Sequence, residues 1–198
     1  MKNSFFALIS RMRYIRRWGL MRNSLPENIQ EHSHMVAVIA HALAVIRRDV
    51  LRVADDTAVD PNLVAAVALY HDASEIFTGD LPTPIKYLNP GIAAAYKQVE
   101  QVAADKLLSL LPEPMQKTYQ PLLCGQGGEI SKFIKAADRL TAYIKCLEEQ
   151  KAGNNEFRTA AEEILRTITA SPLPETKYFM EHCIPAFRLS LDELDLSV

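Results

Sequence analysis

Two histidines and two aspartates stand in this chain where a helical protein seldom leaves such groups without a partner. His32 falls in "NIQEHSHMVAVIAHAL", on the stripe made by Met35, Val36, Ile39, Leu43 and Ile46. His71 and Asp72 are neighbours at the end of the apolar run "LVAAVALYHD". Asp138, in "KAADRLTAYIK", follows Ala136 and Ala137 and precedes Leu140, Tyr143 and Ile144, a setting poorly placed for water. A carboxylate inside a protein is normally paired or bound to metal. Taken singly, each group has a plainer reading: a hydrogen-bonded core histidine, a chance His-Asp pair, an aspartate bridged to Arg139 or a lysine. Taken together they form a set of two imidazoles and two carboxylates from three helices. Such donors suit Mn, Co, Fe or Zn and leave room for water. Neighbours on a helix point about 100° apart, so His71 and Asp72 can flank an ion only from one side; the other needs ligands from other helices, which His32 and Asp138 could provide. A water bound at an open position of such an ion loses its proton near neutral pH and becomes a nucleophile.

The elements that must carry these groups read as helices throughout, and the fold class is all-α. Phe5, Leu8, Ile9 and Met12 stripe a first helix from about Ser4 to Ile15. Asn28 is placed as an N-cap with Glu31 three residues on, a variant of the capping box, and the helix it opens runs on through "AVIRRDV". Asp60 and Pro61 open a central helix with Gly79 placed to end it, and its Leu63–Leu69 run is apolar nearly all round. Asn89 and Pro90 repeat that start for a helix to about Leu111, and a shorter one covers Glu113 to Leu123. "CGQGG" is the clearest breaker. "EISKFIKAADRLTAYIKCLEEQKAG" then makes a long helix ending at Gly153. Asn154 or Asn155 caps the next, and Pro174 to Phe187 is a last helix bent or ended by Pro185. The tail after Leu189 reads as loosely held, and no hairpin signal or internal repeat is present.

The bulk numbers agree. The chain has 198 residues, 48% of them hydrophobic, enough for a sizeable core in one domain over 1–198. Glycine is scarce at 7 residues, which favours helix. The net charge is −2, so composition suggests no nucleic-acid partner. Cys124, Cys146 and Cys183 form no CxxC pair, which points away from a disulfide framework and toward a cytoplasmic protein. No run of about 18 apolar residues predicts a membrane span. Residues 1–26 hold Lys2, Arg11, Arg13, Arg16, Arg17 and Arg22 and no acid. This is read as a helix with a solvated basic face in preference to a transit peptide or a membrane-surface segment, and some of its arginines could meet an anionic substrate.

The order His32, His71-Asp72, Asp138 resembles the H…HD…D signature of HD-domain phosphohydrolases. The likeness is closer than that superfamily: "RRWGLMRN", "EHS", "YHDASEIFTGDLPTPIKY", "KAADRLTAYIKCLEE" and "AGNNEF" resemble the bacterial 5′-deoxynucleotidase family, over roughly Phe5 to Leu194. The resemblance implies a single HD-type helical bundle of about seven to eight helices. It implies a metal-dependent phosphatase, usually a homodimer, that converts deoxyribonucleoside 5′-monophosphates to deoxynucleosides and phosphate with one divalent ion, Co, Mn or similar. On it, His32, His71, Asp72 and Asp138 bind the metal, with Asp72 and Asp138 also meeting substrate. Glu75 is the acid/base residue, Arg17 orients the phosphate, Trp18 packs against the sugar, and Asp80, Leu81, Pro82 and Thr83 hold its 3′-hydroxyl side.

The residues are consistent with those roles. Glu75 follows Asp72 by three and His71 by four, so on a helix it shares their face; whether it gives or takes a proton stays open. The Arg17 fork suits two phosphate oxygens. Plainer readings are a solvent-facing Glu75, a solvated Arg17, a core Trp18 and an Asp80 that stabilises a turn. Binuclear HD enzymes need further histidines after the HD pair, and none occurs between Asp72 and Asp138, so one ion is favoured. His34 and His41 are read as surface or interface residues. A rigid wall at the sugar 2′ carbon, made by Trp18 or the Asp80 loop, would disfavour a ribonucleotide by about a hundredfold, and base identity would matter little. The alternatives are another HD phosphohydrolase acting on ribonucleotides or diphosphates, and a helical binding module with a degenerate site.

Overall fold

The computed structural model describes residues 3–53, 59–86, 88–125 and 127–194, the Thr83 side chain excepted. Among them no strand forms, and one antiparallel bridge joins Arg16 to Asn28. The α-helices are α1 (Phe5–Ile9), α2 (Ile29–Val45), α3 (Pro61–Leu69), α4 (Glu75–Thr78), α5 (Thr83–Lys86), α6 (Pro90–Ser109), α7 (Glu113–Leu123), α8 (Gly128–Lys151), α9 (Arg158–Thr169) and α10 (Pro174–His182). Two more appear than spacing predicts. The single helix expected from Asp60 to Gly79 is split into α3 and α4, and α5 begins inside the stretch read as the Asp80 loop.

Local chemistry sets most boundaries. The Asn28 side chain accepts from the N–H groups of Gln30 and Glu31 while Glu31 reaches back to the Asn28 N–H, a complete capping box. Asp60, Asn89 and Asn154 cap the starts at Pro61, Pro90 and Asn155. The breaker after α7 works because Gly125, Gly127 and Gly128 all take positive φ, which costs other residues dearly. α1 tightens into a 3-10 turn over Ser10–Tyr14, and α2 continues as a π segment, Ile46–Leu51. α10 stops at His182, and Pro185 sits within a 3-10 turn that follows it. The tail is better tied than expected: Ser190 and Glu193 form a capping box, while residues 195–198 lie outside the described ones.

α2 is the axle of the main core. It packs on α3 and on α8, burying Val36, Ala40 and Leu43 against Val64, Val67 and Ala68 on one side and Phe133, Ala137 and Leu140 on the other. α9 covers another side of α8. A second cluster joins Phe5, Met12, Ile29, Ala73, Leu107 and Leu111, and Tyr70 and Tyr119 pack their rings around Phe5. Tyr70 and Ala73 therefore anchor the His71-Asp72 turn to this second cluster, at its seam with the main core.

One ion pair inside the fold ties the N-terminal loop to α8. Glu149, 1% exposed, pairs with Lys145 and accepts from Ser24 N (2.8 Å), Leu25 N (3.1 Å) and Asn154 Nδ2 (2.8 Å). Lys145 also donates to the Leu25 carbonyl. Burial opposes the charge on Glu149, but these donors prevail and hold its carboxyl at about 2, below the ordinary 4.5. Its contribution to stability is thus complete above pH 4.5 and fades as pH falls from there toward 2. Glu149→Gln leaves Lys145 buried and unpaired, so we expect a loss of about 3 kcal/mol, the lower end for one half of a buried pair. That corresponds to a Tm lower by about 6–12 °C for a chain this size. Thermal melts at pH 7 and pH 3 check it: the deficit should be large at pH 7 and smaller at pH 3.

Candidate active site

The break between α3 and α4 builds the turn that carries His71 and Asp72. No glycine or proline marks it. In a regular helix the Ala68 carbonyl would accept from Asp72 N, four residues on. Here it accepts from the His71 N–H at 3.3 Å and from His71 Nδ1 at 2.7 Å. The imidazole has taken the carbonyl from the backbone, and bonding tightens to three-residue closures: Ala73 to Tyr70, Glu75 to Asp72, Ile76 to Ala73. At three residues per turn, side chains three apart line up. Asp72 and Glu75 therefore share a side, and Tyr70 and Ala73 share the side that faces the second core cluster.

The Nδ1–H bond to Ala68 fixes the tautomer of His71 and leaves Nε2 as its donor atom. That Nε2 is buried and lacks a hydrogen-bond partner among the described residues; it lies 3.1 Å from Asp72 Oδ2, without hydrogen-bond geometry. His32, fully buried on α2, brings Nε2 to 3.0 Å from Asp138 Oδ1 and 3.8 Å from Asp72 Oδ2. Donor atoms of His32, His71 and Asp138 all fall within 4.8 Å of one another, a spacing that could hold a metal ion. Asp138 is not shut away as its stripe suggests: 43% of its side chain is exposed, and its partner is His32, not Arg139. Crowded carboxylates and imidazoles demand positive charge. Burial opposes it at His71, yet Asp72, Asp138 and the Ala68 carbonyl raise its pKa to about 9. The same forces run the other way at Asp72, where His71, His32 and Arg17 overcome burial and keep the carboxyl well below its usual range. Asp72 is not one of that group of three, but its Oδ2 lies against both histidines; two imidazoles and a carboxylate, with a second carboxylate beside them, fit a divalent ion of intermediate softness.

A loop closed by the Arg16–Asn28 bridge lays two more groups against this centre. Arg17, 13% exposed, points Nη1 at Asp72 Oδ2, 3.6 Å away, and gives its Nε to Glu27 at 3.1 Å. Trp18 has φ +57°, an unusual angle for a bulky residue, and rests on Phe157 with ring centres 5.2 Å apart. Burial pushes the Asp80 carboxyl up from its usual range, while Arg17 and the Trp18 backbone N–H work the other way, so the loop after α4 comes close to this one. Gly79, at φ +72°, turns the chain toward Asp80, and its carbonyl is held by Thr78 Oγ1 and the Tyr96 hydroxyl. Leu81 and Pro82 are half-buried in that link; the Pro82 carbonyl accepts from Ile85 and Lys86 and so starts α5. Thr83 is the first residue of α5, and its side chain lies outside the described ones.

Glu75 differs from the solvent-facing residue its position at a helix end would allow. It is 7% exposed and Oε2 has no partner among the described residues. Burial, then the charges of Asp72 and Asp80, push its carboxyl up to about 9, so it carries a proton at neutral pH. His34 is exposed and His41 half-buried on α2, and His182 stacks on Tyr178 on α10. Sequence reasoning passed over Glu27, whose carboxylate also accepts from Trp18 Nε1 at 3.0 Å. Its only signal was being the first acid after a basic stretch, immediately before a helix cap.

A family model described as 5′-deoxynucleotidase YfbR-like matches residues 4–187. The chain is 47% identical over 197 residues to a 5′-deoxynucleotidase of Vibrio parahaemolyticus, covering 98% of this chain and 100% of that one. It is 49% identical over 192 residues to a 5′-deoxynucleotidase of Erwinia tasmaniensis, covering 96% and 95%. Among solved structures, an HD-domain phosphohydrolase from Listeria innocua superposes with a TM-score of 0.78 at 25% identity, over 93% of this chain and 88% of that one. A cyanophage S-2L HD phosphohydrolase bound to dA and one catalytic Zn2+ ion superposes at 0.61, with 20% identity over 90% and 95%; that likeness is one of fold.

Proposed function

The chain belongs to the 5′-deoxynucleotidase YfbR-like family, and from that membership we propose how its own residues carry out the hydrolysis. It is a metal-dependent phosphohydrolase of the HD fold that releases orthophosphate from deoxyribonucleoside 5′-monophosphates. The observation that carries this reading is the meeting of His32, His71 and Asp138, with Asp72 against both histidines and the Arg17 guanidinium and the buried Glu75 nearby.

His32, His71, Asp72 and Asp138 would hold one divalent ion, Co, Mn or a similar metal. When bound, it supplies Lewis-acid charge and a water acidified enough to attack phosphorus at neutral pH. Arg17 meets the 5′-phosphate. Its Nε is already spent on Glu27, so the terminal Nη groups face the centre and exchange the loose contact to Asp72 for a two-point grip on phosphate oxygens. Glu75 holds the proton that the leaving 5′-oxygen needs. As the water oxygen joins phosphorus and the P–O5′ bond breaks, the deoxynucleoside leaves as the alcohol. Burial lets Glu75 keep that proton at neutral pH until it is required.

Trp18 packs against the sugar, and Asp80 to Thr83 close its 3′ side. Recognition then stops at phosphate and deoxyribose, which gives low base selectivity. The chain acts as one HD-type domain over 1–198, in the cytoplasm and as a homodimer; no helix among the described residues is long and apolar enough to cross a membrane.

A panel of dAMP, dCMP and dGMP against AMP tests this reading, with Co, Mn, Mg or Zn restored after chelation. Orthophosphate should be released from all three deoxynucleotides at similar kcat/KM, with AMP slower by about a hundredfold, and chelated protein should be inactive. Equal rates on AMP and dAMP would sink the deoxy preference, and release of pyrophosphate from a triphosphate would point to a different HD reaction.

A further inference from the structure

We propose that Glu27 is a positioning residue that locks Arg17 and Trp18 into one unit, so that phosphate and sugar are recognised jointly. This rests on the reading of Arg17 and Trp18 given above. A single oxygen, Glu27 Oε2, accepts from Arg17 Nε at 3.1 Å and from Trp18 Nε1 at 3.0 Å. Consecutive residues of an extended chain point to opposite faces, so two neighbours should not reach one acceptor. They do here because Trp18 adopts φ +57°. A bulky residue in the left-handed region persists only when its surroundings hold it there. Glu27 does so twice, since its carbonyl also accepts from the Arg17 N–H at 3.0 Å.

The grip has a chemical consequence. A guanidinium can present Nε with one Nη, or its two Nη groups, to a planar anion. With Nε taken, only the second edge is left for phosphate, and Arg17 Nη1 is the atom that faces Asp72. The indole ring that shares the same oxygen is fixed relative to that edge. Asp80 lies close enough to Arg17 and to the Trp18 backbone N–H for both to favour its charge, which brings the sugar-side loop up to the same assembly. Glu27 itself is 15% exposed in its side chain and is spaced nine and ten residues from its two partners, so the loop it closes is held from within.

The test uses the metal-loaded full chain with Glu27→Ala and Glu27→Gln, and with Arg17→Ala as reference. Trp18 is the only tryptophan, so emission excited selectively from tryptophan reports on this site alone. Removing an outer-shell partner of this kind costs about 10–100-fold. Glu27→Ala should raise KM for dAMP by that factor while kcat falls less. It should also bring the dAMP to AMP preference toward unity and shift the Trp18 emission. Glu27→Gln keeps one acceptor but no charge and should fall between; it decides the matter if Glu27→Ala does not fold. A lower Tm with KM, preference and emission all as in the parent would make Glu27 merely structural and overturn the proposal. If Arg17→Ala itself leaves KM for dAMP unchanged, the reading beneath it fails and takes the proposal with it.

Discussion

Asp138→Ala should leave the chain folded, strip it of its divalent ion, and lower kcat by more than a hundredfold, beyond the roughly 10–100-fold that outer-shell partners command. The folding half of that expectation follows from exposure. With 43% of the Asp138 side chain open, its truncation digs no cavity in the core. The chemical half follows from charge. His32 Nε2, fully buried, loses its 3.0 Å contact, and one of the two carboxylates proposed to balance a dipositive ion is gone. Two imidazoles and Asp72 alone leave the ion undercompensated, and Asp72 is already shared with Arg17. Metal content after dialysis, measured by plasma mass spectrometry, and a circular dichroism melt on the same sample check both halves. Bound metal equal to that of the parent protein would remove Asp138 from the ligand set.

That His32, His71 and Asp138, which the fold brings together, stand out in the sequence reflects how helices write their signals. Caps are local: Asn28, Asp60 and Asn89 each bond a backbone N–H two or three residues on, so adjacent residue types suffice to place them. The inward position of His32 follows from a stripe of period 3.6 and is borne out by its complete burial. The break at Tyr70–Ser74 could not be read this way. It depends on a side chain, that of His71, taking the Ala68 carbonyl from the helix, and nothing in the residue types distinguishes that outcome from a continuous helix. Asp138 was placed on the right face but misjudged for water, because periodicity gives direction and not whether a neighbouring helix covers that direction. Lys145 and Glu149 look like an ordinary exposed pair four residues apart, yet they are buried because the loop of Ser24 and Leu25 folds over them. Glu27 lay beyond reach for a related reason: its partners sit across an irregular loop with no period to read.

Glu75→Gln should lower kcat by about 10²–10⁴-fold, the usual range for a lost acid or base, while metal content, Tm and KM for dAMP stay close to those of the parent. The structure makes the substitution unusually clean. Burial and the charges of Asp72 and Asp80 hold the Glu75 carboxyl up at about 9, so the native group is neutral at pH 7 and an amide of the same shape replaces it without a change of charge. What disappears is the transferable proton. Whether that proton goes to the leaving oxygen is decided by changing the leaving atom. In the 5′-thio analogue of dAMP the bridging sulfur departs as a thiolate, whose conjugate acid has a pKa of about 8.5 and needs no protonation to leave. If Glu75 is the acid, Glu75→Gln should cost little on this analogue, so the deficit seen with dAMP should largely vanish. A deficit of the same size on both substrates would move Glu75 to the side of the attacking water, where a carboxyl that keeps its proton at pH 7 is the wrong form of the group, and the acid assignment would fall.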